Sequence, residues 1–236
     1  MTKNQQLLAK MGGGSLALLL SLSLGQQASA TTLVSNLPPT TLETNGGAVK
    51  FDQWVSSSFT TGSGIYGYTL DSVTLRFRED TADNNLSVSL YTDNFGGIGG
   101  LITSFTKPSS ITTTNDNNTF TLTTPQTLAS GTTYWLVAGI SSNLVGGEYS
   151  WRITDSAAQT GLSGWSIGDS SLFSSNQGLT WNSFPGSVVF QFSVDGTVNT
   201  SPPPPTNIPE PGSIVALLGL AGLGLASRLK KLSTRA

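Results

Sequence analysis

The sequence predicts an all-β protein: an antiparallel β-sandwich, of jelly-roll type, with an N-terminal signal helix and a C-terminal transmembrane helix. Three observations support this fold class. Between two apolar ends, short segments alternate apolar and polar residues with a period of two. Clusters of Gly, Ser, Asn and Asp separate these segments, as turns do. No window of eleven residues in this body keeps an apolar stripe with helical period, so we expect no helix longer than two turns there.

The clearest alternation covers residues 70–78, where Val73, Leu75 and Phe77 share one face. Residues 133–140 are apolar on both faces, which predicts a central strand covered on both sides. Further strands are expected at residues 49–59, 86–91, 101–105, 119–123, 148–153 and 187–194. The stretches 93–100 and 161–184 are rich in Gly or in Gly and Ser, and we interpret them as loops.

The first thirty residues have the parts of a signal peptide. Lys3 and Lys10 supply positive charge, residues 15–24 form an apolar core, and Ala28 and Ala30 form a small-x-small cleavage site for signal peptidase. The sequence therefore predicts four parts: a signal peptide (1–30), a β-sandwich domain (31–197), a Pro-rich linker (198–207) and a C-terminal segment (208–236) with a transmembrane stretch and a basic tail.

The C-terminal segment predicts a membrane anchor. Residues 213–226 carry no charge, and the run reaches the length of a marginal span when it is extended to Ile208 and Leu232. A basic cluster follows the run, so the positive-inside rule leaves that cluster in the cytoplasm and everything before the run outside.

The order of Pro209-Glu210-Pro211, a Gly-rich apolar run and a basic cluster resembles the PEP-CTERM sorting signal of Gram-negative bacteria and cyanobacteria. The resemblance implies that Pro209, Glu210 and Pro211 are recognised by an exosortase-type transpeptidase. It also implies that the basic residues Arg228, Lys230 and Lys231 stop the transfer of the chain. We therefore expect an inner-membrane single-pass precursor with its body outside, and then a location at the cell surface or in the extracellular matrix. A plain single-pass tail anchor is the alternative.

Composition excludes several kinds of chemistry. The body contains five basic and twelve acidic residues, a formal charge of −7, so it repels nucleic acid and anionic headgroups. Without His or Cys it has no disulfides, no Ser-His-Asp triad, no cysteine nucleophile and no His-ligated zinc site. Only carboxylate chemistry remains, for example a glycosidase pair such as Glu148 with Asp52. Acids in turns normally cap and solvate, so we expect no catalytic residue.

No cofactor is expected, although a structural calcium stays open. Asp80, Asp83 and the asparagines 84 and 85, or Asp93 with Asn94, could offer oxygen ligands. The alternative is that these side chains bond their own backbone in turns.

Five tryptophans are the other potential binding elements. Trp54, Trp135 and Trp151 lie in apolar segments and are predicted to belong to the core. Trp165 and Trp181 lie in the predicted loop 161–184 and are the candidate glycan contacts, with apolar lids over an end of the sandwich as the alternative.

Residues 51–60, 70–75 and 134–137 together resemble the choice-of-anchor R domain, a family of extracellular β-rich domains found with different C-terminal anchors. The resemblance implies an exported surface or matrix role and supplies no catalytic residues. We therefore expect a non-enzymatic protein of the exopolysaccharide or biofilm layer, with extracellular polysaccharide as a potential partner. A carbohydrate-binding module and a carboxylate glycosidase are the alternatives.

Overall fold

A computed structural model describes residues 30–37, 45–142, 146–185 and 188–202. The described residues form fourteen strands: β1 (Thr31–Ser35), β2 (Gly46–Val49), β3 (Trp54–Thr60), β4 (Tyr68–Thr81), β5 (Leu86–Asn94), β6 (Gly97–Ser104), β7 (Asp116–Leu128), β8 (Thr133–Ile140), β9 (Glu148–Thr154), β10 (Thr160–Gly161), β11 (Ser166–Ser174), β12 (Asn182–Ser183), β13 (Val189–Phe190) and β14 (Phe192–Val198). The predicted all-β class is confirmed. The predicted signal and transmembrane helices lie outside the described residues.

Strands β2 to β9 have jelly-roll topology. One sheet contains β2-β9-β4-β7 and the facing sheet contains β3-β8-β5-β6, with every pair antiparallel. Because the chain passes repeatedly between the sheets, each alternating segment buries one face against the opposite layer. The remaining strands widen the sandwich: β14, β1 and β10 extend the first sheet, and β11 and β12 extend the second.

The core between the sheets is rich in aromatic rings. Val73, Leu75 and Phe77 of β4 are fully buried, as their alternation predicts. The indole of Trp151 stacks on Phe190 with ring centroids 4.7 Å apart, and its Nε1 donates a hydrogen bond to a backbone carbonyl. Such pairs add about 0.5–1.5 kcal/mol beyond the burial of their apolar area. The aromatic layer therefore supplies much of the stability of a domain without disulfides.

Two predicted loops contain strands instead. Residues 93–100 form the end of β5 and the start of β6, joined by a tight turn in which Phe95 and Gly96 have φ angles of 53° and 83°. Two successive residues with positive φ match the twist of a hairpin, so the glycines continue into a strand. The predicted loop 161–184 contains the nine-residue strand β11, six residues of which pair with β3 on the two sides of a bulge. Its Ser and Gly residues obscured the alternation.

Two predicted strands are broken. Residues 49–59 divide at a turn in which Lys50 and Gln53 pair, so β2 ends at Val49 and β3 begins at Trp54. The second predicted strand, 187–194, divides at Gln191, whose N–H donates to the carbonyl of Arg152 in β9 while its carbonyl accepts the N–H of Arg76 in β4. In both places the apolar pattern continues across the break, so only the backbone hydrogen bonds reveal it.

Candidate functional site

The outer face of β3 and β8 carries a half-buried tryptophan, Trp54. Val55 and Ala138, which are paired across these strands, belong to the core, so Trp54 and Gly139 face outwards. A Cβ at Gly139 would overlap the Trp54 indole, so this glycine lets the ring lie against the backbone of β8. The Nε1 of Trp54 donates to the carbonyl oxygen of Ile140 at 3.1 Å, which fixes the orientation of the ring.

A second half-buried indole, that of Trp181, lies beside the first. Gly178 lies in contact range of both rings. A Cβ added to it would be 3.5 Å from Cζ2 of Trp181 and 3.5 Å from Cζ3 of Trp54. Gly178 has a φ of 85°, a left-handed conformation that glycine adopts without strain. We refer to Trp54, Gly178 and Trp181 as the tryptophan cluster.

The loop that carries Trp181 is held by its own polar side chains. Oδ1 of Asn176 accepts hydrogen bonds from the Ser174 hydroxyl and from the N–H of Thr180, both at 2.9 Å. Oγ of Ser174 accepts the N–H of Gly178 at 2.8 Å. Because these bonds form within the loop, the second indole is positioned before any ligand arrives, which lowers the entropic cost of binding.

Hydroxyl groups cover another part of the same outer face. The hydroxyls of Ser87, Ser89 and Ser104 form a row with oxygens 3.1 and 2.8 Å apart. Trp135, which is only 2% exposed, lies on this face and donates its Nε1 to Oδ1 of Asp93 at 2.8 Å. Aromatic surfaces next to uncharged hydroxyls are suited to a ligand with both apolar faces and polar edges, such as a sugar.

The prediction of an exposed Trp165 is wrong. Its side chain is 6% exposed, stacks on Phe59 with centroids 6.0 Å apart, and meets Tyr68 edge-on at 4.7 Å. Trp165 is therefore an apolar lid at one end of the core, which was the alternative interpretation. Trp181 remains the candidate contact.

The other tryptophans divide between core and outer face. Trp151 is in the core as predicted, whereas Trp54 faces outwards and Trp135 is buried on the outer face. A sequence signal for Trp54 exists in hindsight: Val55 and Phe59 share a strand face, and Trp54 falls on the other one.

The candidate calcium ligands are used in turns and side-chain contacts. Oδ1 of Asp83 accepts the backbone N–H of Asn85 at 2.7 Å and its side-chain amide at 2.8 Å, while the buried Oδ2 has no hydrogen bond. Besides Trp135, Asp93 also accepts the N–H of Gly96 at 3.1 Å. In the described part of the chain, no group of three or more Asp or Glu side chains is placed to hold a metal ion.

Acidic side chains border two depressions among the described residues. Asp52 and Glu148 border one depression of about 250 Å³, but Glu148 forms an ion pair with Lys50 at 3.2 Å. A cleft of about 320 Å³ lies between Asp155 and Asp169. One of its polar side chains, Asn36, is already bonded to backbone on both sides, because it donates to the carbonyl of Phe190 and accepts the N–H of Phe192.

The C-terminal segment is where a comparison with known proteins finds a match. Residues 207–231 match the PEP-CTERM protein-sorting motif. This sorting motif spans Pro209, Glu210 and Pro211 and the basic residues Arg228, Lys230 and Lys231. It implies an exported protein that is processed by an exosortase and carries a C-terminal membrane-anchoring signal. No curated protein matches the sequence.

The described residues contain no helix that is long and apolar enough to span a membrane. The sorting motif lies beyond these residues, and so does Ala28 of the predicted signal-cleavage site. Ala30 is described; it is exposed and directly precedes β1.

Proposed function

We propose that the protein is a surface-displayed β-sandwich without enzymatic activity that contributes to an exopolysaccharide or biofilm layer. The sorting motif behind a jelly-roll body is the observation that carries this proposal. In this scheme signal peptidase cuts after Ala30, and an exosortase-type transpeptidase recognises Pro209, Glu210 and Pro211 and then re-anchors or releases the body.

The body itself supports a structural role. Its resemblance to choice-of-anchor R domains implies a module displayed outside the cell. Its surface is hydroxyl-rich and poor in basic residues, so it stays soluble among polysaccharide chains and does not attract nucleic acid. The sequence has no cysteine, so the stability of the body does not depend on disulfides or on the redox state of the compartment.

The mass of the C-terminus tests this proposal. The full chain is expressed in a Gram-negative host with and without the cognate transpeptidase, and the protein is measured by intact mass spectrometry. We expect loss of the tail only when the transpeptidase is present. Glu210→Ala should prevent the cleavage, whereas the linker variant Pro204→Ala should not. An intact tail under both conditions would contradict the proposal.

A second candidate function is the binding of neutral polysaccharide by the tryptophan cluster. The observation that favours it is that two half-buried indoles, Trp54 and Trp181, lie on either side of Gly178. The loop that contains Gly178 is held by its own hydrogen bonds. The nearby serine hydroxyls supply hydrogen-bonding groups without charge.

Tryptophan fluorescence during glycan titration tests this second candidate. A ligand should quench the emission, and the quenching should disappear in Trp54→Ala and in Trp181→Ala. Trp165→Phe is the matched control, because that residue is buried and should leave binding unchanged. A glycan array on the same protein separates the alternatives: no ligand favours the structural role, one ligand favours the binding module, and turnover of a glycan favours the glycosidase.

A further inference from the structure

After β14 the chain leaves the sandwich at a position that hydrogen bonds define. Asn199 follows β14 and donates its N–H to the carbonyl of Gly67 at 3.1 Å and its side-chain amide to the carbonyl of Tyr66 at 3.1 Å. Oδ1 of Asn199 accepts the hydroxyl of Thr69 at 2.7 Å. The chain that leads to the sorting motif therefore starts beside the β3–β4 loop.

Several other connections lie at this same end of the molecule. The loop 129–132 is bonded to the β3–β4 loop, since Gly131 donates to the carbonyl of Gly62 at 2.8 Å. Thr92 of β5 pairs with Tyr134, the second residue of β8, so the turn after β5 projects in the same direction. We name this region the exit end: loops 61–67, 129–132 and 162–165, the turn 95–96 and residues 198–202.

Apolar side chains are exposed at the exit end to an unusual degree. Ile65 is 89% exposed and Phe95 is fully exposed, although a buried position would stabilise each of them. Tyr66 and Val198 are 40% and 43% exposed. Of the six large exposed apolar side chains in the described residues, four lie at the exit end, and the other two are Leu101 on β6 and Leu179 at the opposite end.

The exit end is also almost free of charge. The loops 61–67, 129–132 and 162–165 and residues 198–202 contain no Asp, Glu, Lys or Arg. Asp93, two residues before Phe95, has both carboxylate oxygens hydrogen-bonded, to Trp135 and Gly96. At the opposite end, Lys50 and Glu148 form an ion pair. The loops of the exit end therefore contribute nothing to the formal charge of −7 that the body carries.

We propose that the exit end rests on the lipid bilayer while the protein is anchored, with Ile65, Tyr66 and Phe95 in the headgroup region. This inference rests on the proposed function, because it needs the C-terminal segment to hold the body at a membrane. From Pro202 to the apolar run at Ser213, eleven residues extend at most about 40 Å. Such a tether keeps the exit end closest to the bilayer. Aromatic and aliphatic side chains on uncharged backbone are those that favour the membrane interface.

The absence of native cysteine makes a direct test simple. Single-cysteine variants of the full chain, Ser63→Cys at the exit end and Ser175→Cys at the opposite end, are labelled with an environment-sensitive fluorophore. Each is inserted into phosphatidylcholine nanodiscs at one copy per disc. We expect nitroxide-bearing lipids to quench the label at position 63 several-fold more than the label at position 175. Adding Ile65→Ser and Phe95→Ser to Ser63→Cys should remove most of this difference, and both altered side chains are exposed, so the fold should survive.

The outcomes separate the two proposals. Failure of the protein to co-purify with the discs overturns the membrane-anchored precursor and this inference with it. Anchored protein whose two labels are quenched equally overturns the lipid contact alone. A change in the label at position 63 that appears only with two copies per disc assigns the exit end to self-association. That result also overturns the proposed lipid contact.

Discussion

Replacement of Trp165 by Ala separates the core position seen in the structure from the exposed position that the sequence indicates. The ring is 6% exposed and contacts Phe59 and Tyr68, so its removal deletes a buried indole and leaves a cavity. Such truncations cost about 3–5 kcal/mol, which lowers the melting temperature of a domain of this size by about 10 °C. Trp165→Phe keeps most of the apolar volume and removes an Nε1 that is buried without a partner, so we expect a cost of about 1 kcal/mol.

Urea denaturation measures these differences. A chain that ends at residue 202 serves as the common background, and far-UV circular dichroism follows unfolding because the tryptophan emission changes with each variant. Trp181→Ala is the matched control: its ring is half-buried, so the expected loss is about 1–2 kcal/mol. A loss below about 1 kcal/mol for Trp165→Ala, or one equal to that of the control, would refute the core assignment.

Three further predictions concern the outer face, the Asn36 bridge and alkaline pH. Gly139→Ala should displace the Trp54 indole and shift the tryptophan emission of the native state, whereas an unshifted spectrum would contradict the close packing. Asn36→Ala leaves two buried backbone groups of β13 and β14 unpaired and should cost about 2–4 kcal/mol in urea, against about 1 kcal/mol or less for Asn199→Ala. Burial raises the pKa of Tyr149 above its usual range, so the unfolded chain ionises first and stability falls as pH rises above 10. Urea midpoints between pH 8 and 11 measure this slope, and Tyr149→Phe should reduce it, while Tyr91, whose pKa burial also raises, keeps part of it.

Local periodicity was enough to predict the fold class. Strands such as residues 70–78 bury one face, so apolar residues recur at every second position whatever the neighbouring strand is. The positions of strands rich in Ser and Gly were not predictable in this way. Strand β11 exists because β3 offers it a ladder of hydrogen bonds, and the composition of β11 alone indicates a loop.

In the candidate site, too, local sequence did not decide which side chains are exposed. Trp54 and Trp165 both lie near Ser and Gly residues, yet the first is on the outer face and the second is in the core. Their exposure depends on neighbouring strands that are more than seventy positions away in sequence: Gly139 of β8 lies beside Trp54, and Phe59 of β3 lies against Trp165.

Export signals are read by other proteins as linear segments, so the sorting motif at residues 207–231 was visible without any structure. The sequence by itself therefore determined the sheet class and the C-terminal sorting motif. Tertiary structure alone decided which tryptophans meet solvent and which end of the body carries the exposed apolar side chains. Both depend on contacts between distant strands and loops, which place side chains next to partners that no local pattern contains.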